Sequence, residues 1–405
     1  GRPGRWGTGA GLAVLAALAS PVAGAFVALV LVAWGLASPA GRAGRVVAGV
    51  VALGVVGGVA VAFPGAGTLH FSSADLACIL AGCALVAGPF LGAHRPVRGA
   101  AALYGVVSVL LYVVPTAMGN NDMRLAADVG VPLVLCYAEA AARAHSVLGK
   151  GSGSAVRRLV RAAPQKRLVG FGLAAGLAGS VVWAWAPATG ALGNAGVPAA
   201  HSGFYRPLLA ELGRLSGGAV RVEVVPTRDH WEAEWVAPAV PLARGWERQL
   251  DVGFNPVFYQ RNALTPAAYR RWLTDSGVSW VALPRAPLDF AATGEARLLR
   301  ADRVPGLAPV WHTRRWELWK VVGSHGLVDG PARVTALGSD RVALAVRRPG
   351  PVVVKVRWSS HWSVQPSTSC VSRAPGGWTG LRVAAAGPVT LSASLLPGPS
   401  RTCPG

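Results

Sequence analysis

The sequence predicts an α-helical polytopic membrane domain followed by an exported α/β domain and a small β-sandwich. Three observations carry this. The chain is 52% hydrophobic but only 14% charged, with a mean hydropathy of +0.42. Its polar residues are unevenly spread. Residues 1–187 hold four of the 18 acids (Asp75, Asp122, Asp128 and Glu139), while 188–405 hold the other 14, together with 11 of the 15 tryptophans. Basic residues, finally, fall in alternate connections between the apolar runs. Such a distribution describes a membrane part followed by a water-soluble part. The expected boundaries are 1–187 for six or seven membrane segments, 188–203 for a linker, 204–328 for the α/β domain and 329–405 for the β-sandwich.

Taken in order, the first apolar run, about 8–38, is too long for one ordinary span and is interrupted at Ser20-Pro21. Proline donates no backbone amide and disfavours helix before it. Two short helices in a tight hairpin are expected, with one long kinked helix as the alternative. Five further stretches, roughly 46–64, 73–93, 98–116, 127–145 and 168–187, have the length and apolarity of a span. Arg42 and Arg45, then Arg95 and Arg98, then the basic segment 150–167 occupy every second connection. The connections between, 64–72 and 117–126, hold only Arg124 among lysines and arginines. The positive-inside rule therefore puts loops 40–45, 94–98 and 146–167 in the cytoplasm and everything after about 188 outside. The chain opens with Gly rather than Met, so an upstream portion is expected.

That topology places Asp75, Asp122 and Asp128 near outward ends of spans. "FSSAD" (71–75) has the form of a helix start, with Ser72 as N-cap and Asp75 three residues on. "GNNDMRLAAD" (119–128) gathers Asn121, Asp122, Arg124 and Asp128. Ionisable groups at membrane level are costly and often functional. A donor-binding loop and an interfacial loop whose acids pair with Arg124 both remain open. Glu139 and Arg143, four apart, read as a helical ion pair.

Past the linker the periodicity changes. "FYRPLLAELGRL" has helical spacing, "AVRVEVVPT" alternates as a strand does, and "TPAAYRRWLTDSG" reads as a helix capped by Thr265 and closed by Gly277. "VSWVALP" and "WELWKVV" read as strands. From about 331 short β-runs separated by turns follow, as in a sandwich. Cys78, Cys83 and Cys136 fall in spans as small apolar residues. Cys370 and Cys403 are the only cysteines of the exported part, and an oxidising exterior favours their disulfide.

"RDHWEAEWVAP" (228–238) and "LARGWERQLD" (242–251) concentrate acids and tryptophans. His230, Trp231, Glu232, Glu234, Trp235, Trp246 and Glu247 suit a carbohydrate surface, where indole faces stack on sugar rings and carboxylates accept hydroxyls. Packing of the tryptophans in the α/β core, with arginines satisfying the acids, is the structural reading. Glu232 and Glu234 are two apart and do not form a facing acid/base pair. We read the stretch as a structural motif beside a glycan path.

The layout of several spans, an outward "GNNDMRL" loop and an exported "HWEAEWVAP…LARGWERQLD…NPVFY…YRRWL…VSWVALP" resembles a group of actinobacterial integral membrane proteins. These are similar to the glycosyltransferase-C superfamily and to membrane proteins described as related to 6-pyruvoyl-tetrahydropterin synthase. The resemblance covers most of the chain. It implies transfer from a polyprenyl-phosphate sugar to a cell-envelope glycan at the outer face, with the lipid bilayer as surroundings. The superfamily's catalytic acid usually follows the first span of the full protein, which would lie upstream of Gly1, so no catalytic residue is assigned here. Asn121, Asp122, Arg124, Asp128 and Asp75 are then candidates for donor binding, arginine suiting phosphate through its planar fork.

Other classes fit less well. The net charge of +21 suggests nucleic acid, but only four lysines occur and the arginines are scattered. The spans lack the mid-membrane polar residues of a transporter. No phosphate loop, nucleophile elbow or paired-cysteine metal site is present. A divalent metal remains a possible cofactor, with no ligand set identifiable. A membrane-anchored glycan-binding or scaffold protein is the alternative to the transferase.

Overall fold

The computed structural model describes residues 4–63, 67–68, 72–88, 93–130, 132–133, 136–137, 178–179, 181–182, 185, 188–394 and Cys403. It divides into two compact units, Gly1–Gly193 and Asn194–Gly405.

The first unit is helical. Helices α1 (Gly4–Ala19) and α2 (Pro21–Ala37) are separated at Ser20, whose side chain accepts from the Ala23 amide as the N-cap of α2. Ala13, Ala28 and Ala52 share one apolar cluster, which joins α1 and α2 to α3 (Arg42–Ala62). A Cβ on Gly24 would lie 2.6 Å from the Ala17 Cα, so the two backbones nearly touch. Ala13 and Ala28 could not meet along one straight helix of that length. The hairpin, not the long kinked helix, is what forms.

Helix α4 (Ser73–Ala87) opens with the expected capping box, Ser72 and Asp75 each bonding the other's backbone amide. It ends after 15 residues rather than running to 93, because Gly88 is extended before Pro89. At 1.5 Å per residue it spans about 22 Å, short of a bilayer core of about 30 Å. Helices α3, with 21 residues, and α5 (Arg95–Val113), with 19, are long and apolar enough to cross a membrane. Of the stretch read as 127–145, Asp128 and Gly130 lie in a π-helical turn, Ala126–Gly130. Most of the rest, the Glu139–Arg143 pair, loop 146–167 and most of 168–187 lie outside the described residues.

The segment expected as a linker, 188–203, is mostly helical. Residues 188–194 are helical, Pro198–Ala200 form a 3-10 turn, and α6 (Ser202–Leu215) follows at once. Alanine and leucine favour helix strongly enough to outweigh the glycines here. A four-stranded sheet of order β1-β2-β4-β3 forms from β1 (Arg221–Val224), β2 (Val278–Pro284), β3 (Leu307–His312) and β4 (Trp316–Val321). β1 and β2 are parallel, while β2, β4 and β3 run antiparallel. Between β1 and β2 lie α7 (Trp231–Trp235), α8 (Arg248–Phe254) and α9 (Pro266–Asp275), and between β2 and β3 lies α10 (Thr293–Arg300).

Both faces of this sheet are covered. On one, Tyr269, Leu273, Ala296 and Leu299 pack over Val281 and Trp319. On the other, Phe204, Tyr205 and Leu208 of α6 pack around Trp316, whose indole donates to the Phe204 carbonyl. Two further four-stranded antiparallel sheets, β10-β11-β8-β5 and β6-β7-β12-β9, form the sandwich. Their strands are β5 (Val328–Asp329), β6 (Ala332–Leu337), β7 (Arg341–Val346), β8 (Gly350–Arg357), β9 (Trp362–Gln365), β10 (Cys370–Ala374), β11 (Trp378–Val383) and β12 (Gly387–Ala393). Val342, Leu344, Val354, Leu381 and Leu391 fill the space between them. Cys370 and Cys403 are joined in a disulfide.

Candidate functional site

Chain 241–243 runs along the free edge of β1, with the Val222 amide donating to the Pro241 carbonyl and the Ala243 amide to that of Val222. This lays Arg244 beneath the sheet, where it bonds Glu223 at 2.9 Å and Glu295 at 2.6 Å and stacks 3.7 Å from the Phe258 ring centroid. Tyr269 donates its hydroxyl proton to Glu295. All four polar side chains are buried. Burial pushes the Glu223 carboxyl well above the ordinary range, with Glu295 adding to it and Arg244 opposing. One guanidinium serves two carboxylates, an arrangement that fixes the loop while costing desolvation energy.

A second cluster gathers where β1 and β2 end, the usual position of sites in parallel sheets. His230 is left-handed, φ 56°. Its Nδ1 lies 3.0 Å from Glu232, and its Nε2 lies 3.3 Å from Arg248 and 3.8 Å from Asp289. Glu232 also accepts from the Thr227 hydroxyl and amide. Arg248 grips Asp289 through both terminal nitrogens and donates to Tyr259. Tyr259 in turn donates to Asp251, which also accepts from Asn255. Burial alone would raise the Asp289 carboxyl, but Arg248 and the Ala291 amide outweigh it and hold it below the ordinary value. Each acid here already has a protein partner, so the cluster is a clasp on three loops rather than a set of idle acids and bases.

The sequence-predicted glycan residues therefore part company. His230 and Glu232 join this clasp. Trp231 and Trp235 pack against the core beneath α6, the Trp235 indole donating to the Ala200 carbonyl. Glu234 points outward on α7, away from Glu232, and the two form no pair. Trp246 and Glu247 reach an open surface, and the expected packing of Trp246 in the core does not occur. The pairing with β1 ends at Ala243, and Trp246 is 65% exposed.

They line a groove of about 300 Å³ between the α/β layer and the sandwich. Phe254 from α8 and Trp378 at the start of β11 supply two more aromatic rings, and Arg221 and Arg357 supply cations. Gly376 and Gly377, both left-handed with φ 73° and 75°, turn the chain so that Trp378 faces Arg357. Phe254, Trp378, Arg221 and Arg357 escaped the sequence reading because they come from four separated segments. The one signal was the tryptophan after the Gly376-Gly377 pair.

In the helical unit, Asp122 is buried, not set on an interfacial loop. Its carboxylate accepts from Ser108, and its carbonyl accepts from Tyr104, both on α5. The other carboxylate oxygen has no partner among the described residues. Asn121 and Arg124 flank Asp122 in the turns Gly119–Asp122 and Met123–Leu125, with Asp128 in the next turn. Asp75 is committed to its cap and so departs from the donor-binding set. Among the described residues no three His, Cys, Asp or Glu gather as metal ligands would. No family model, curated protein or solved structure matches this chain.

Proposed function

We propose that this chain is an integral membrane protein that engages cell-envelope glycan on the outer face, and that the groove beside Trp246 holds the glycan. The observation that carries the reading is the groove itself. Three aromatic rings, an exposed carboxylate and two arginines line one opening of about 300 Å³. Aromatic faces supply apolar stacking area, and the charged groups supply directional partners for hydroxyls. The membrane part of the reading is supported by α3 and α5, whose outward faces carry exposed Val47, Val50, Val106, Leu110 and Val113. Loop charges support several crossings, with the second unit outside.

Within that reading we propose sugar transfer from a polyprenyl-phosphate donor as the activity, as the family resemblance implies. The supporting observation is Asp122, a buried carboxylate with one unpartnered oxygen two residues before Arg124. Arg124 suits a phosphate. A glycan-binding scaffold without transfer is the second reading, favoured by the groove because its acids are not arranged as a facing pair.

Membranes carrying the protein and supplied with labelled polyprenyl-phosphate sugars separate the two. Transfer that is lost in Asp122→Asn or Arg124→Ala at matched protein level supports the transferase. No transfer from any donor, with glycan binding that Trp246→Ala weakens, establishes the scaffold. Neither transfer nor binding sinks both.

A further inference from the structure

We propose that the groove takes a glycan bearing an oxyanion, a phosphate or a carboxylate, held by Arg221 and Arg357. The inference rests on the glycan reading of the same groove and names the class of glycan.

Two arginines line this groove, and both guanidinia approach the Trp378 ring, Arg221 at 5.9 Å and Arg357 at 4.1 Å from its centroid. Arg221, nine-tenths buried, donates through Nη1 to the Ser276 carbonyl at 2.7 Å, and its buried Nε has no partner among the described residues. Arg357 donates to the Gly376 carbonyl at 3.0 Å and only distantly to that of Phe254, at 3.5 Å. Its guanidinium lies over two rings, 4.1 Å from the Trp378 centroid and 4.3 Å from that of Phe254. The rings fix the plane of the fork while leaving donors on its edge. A guanidinium carries five N–H donors, so both arginines have spare ones. Among the described residues neither forms an ion pair with a carboxylate.

The neighbouring acids do not fill the gap. Asp251 is engaged by Tyr259 and Asn255. Glu247 is exposed and free to accept a sugar hydroxyl. Burial acts on both cations. Burial, and for Arg221 the charge of Arg357 as well, lowers each guanidinium to about 10. Both therefore stay charged at neutral pH, at a cost that an incoming anion relieves. Elsewhere in the unit the buried arginine, Arg244, has two carboxylates of its own. Arg221 and Arg357 are the departure from that pattern, and they face a groove of about 300 Å³. An oxyanion matches the guanidinium fork in geometry as well as charge.

The test is tryptophan-fluorescence titration of the full-length protein in detergent. The probes are a galacturonate oligomer, a sugar-phosphate oligomer, a neutral galactose oligomer of equal length, and inorganic phosphate. At least one anionic oligomer should bind about tenfold or more tighter than the neutral one. Arg357→Gln should abolish that preference, weakening anionic binding far more than neutral binding, and Arg357→Lys should restore part of it. Arg300→Gln, an exposed site on α10, controls for net charge and should change nothing. Equal binding of charged and neutral oligomers, or a preference that survives Arg357→Gln, overturns the inference and leaves the glycan reading standing. Phosphate binding that Arg357→Gln removes, with no oligomer bound, keeps the anion site and sinks the glycan reading. The better of the two anionic oligomers identifies the oxyanion.

Discussion

Glu223 and Asp289 sit within one sheet layer yet answer pH in opposite senses. Asp289 is held below its ordinary value, so it contributes stability above the unfolded carboxylate range and loses it as pH falls through the lowered value. Glu223 is held above its ordinary value, so its contribution is complete at low pH and is lost as pH rises through the raised value. Denaturant midpoints followed by tryptophan fluorescence should therefore decline on both sides of an optimum. Asp289→Asn should flatten the acid limb and Glu223→Gln the alkaline limb. A profile unchanged by either substitution contradicts the assignment. In the groove, Trp246→Ala removes an exposed ring that packs against little, so it should weaken glycan binding about tenfold while moving stability by less than about 1 kcal/mol. A large loss of stability would instead mean that Trp246 belongs to the core.

The end of α9 shows how one element is held by others distant in sequence. A helix leaves its last carbonyls without partners, and cations near them are favourable. Here Lys355 of β8 donates to the Thr274 carbonyl and Arg221 of β1 to that of Ser276. The same turn needs Gly277, left-handed at φ 68°, where a Cβ would lie 2.3 Å from the Gly326 carbonyl oxygen. Lys355→Ala should cost about 1–3 kcal/mol, as loss of a charged hydrogen bond does. Gly277→Ala should cost at least about 2 kcal/mol, from backbone strain and collision together. Equilibrium denaturation measures both, and a neutral Gly277→Ala would show that the turn is not held by that contact. "TPAAYRRWLTDSG" announced this helix through Thr265, Pro266 and Gly277. The identity of its C-terminal partners was not in that segment.

For the molecule as a whole, the distribution of charge predicts topology. In intact cells, a cysteine at Arg300→Cys should react with a membrane-impermeant maleimide, and one at Arg98→Cys should react only after permeabilisation. The reverse pattern would overturn the placement of the second unit outside. Much of this architecture was legible in sequence. The break at Ser20-Pro21, the Ser72–Asp75 capping box and the strands "VSWVALP" and "WELWKVV" each follow from local chemistry. Period, caps and prolines determine such features without reference to the rest of the chain, while the Cys370–Cys403 pairing followed from the placement of the other three cysteines in apolar runs. Tertiary structure decided what no local rule could. It put Asp122 against Ser108, drew His230 and Glu232 into a clasp and left Trp246 open. It also joined Phe254, Arg221, Arg357 and Trp378 in one groove. Side-chain type says what a residue can bind, whereas exposure and company depend on which distant segments pack against it.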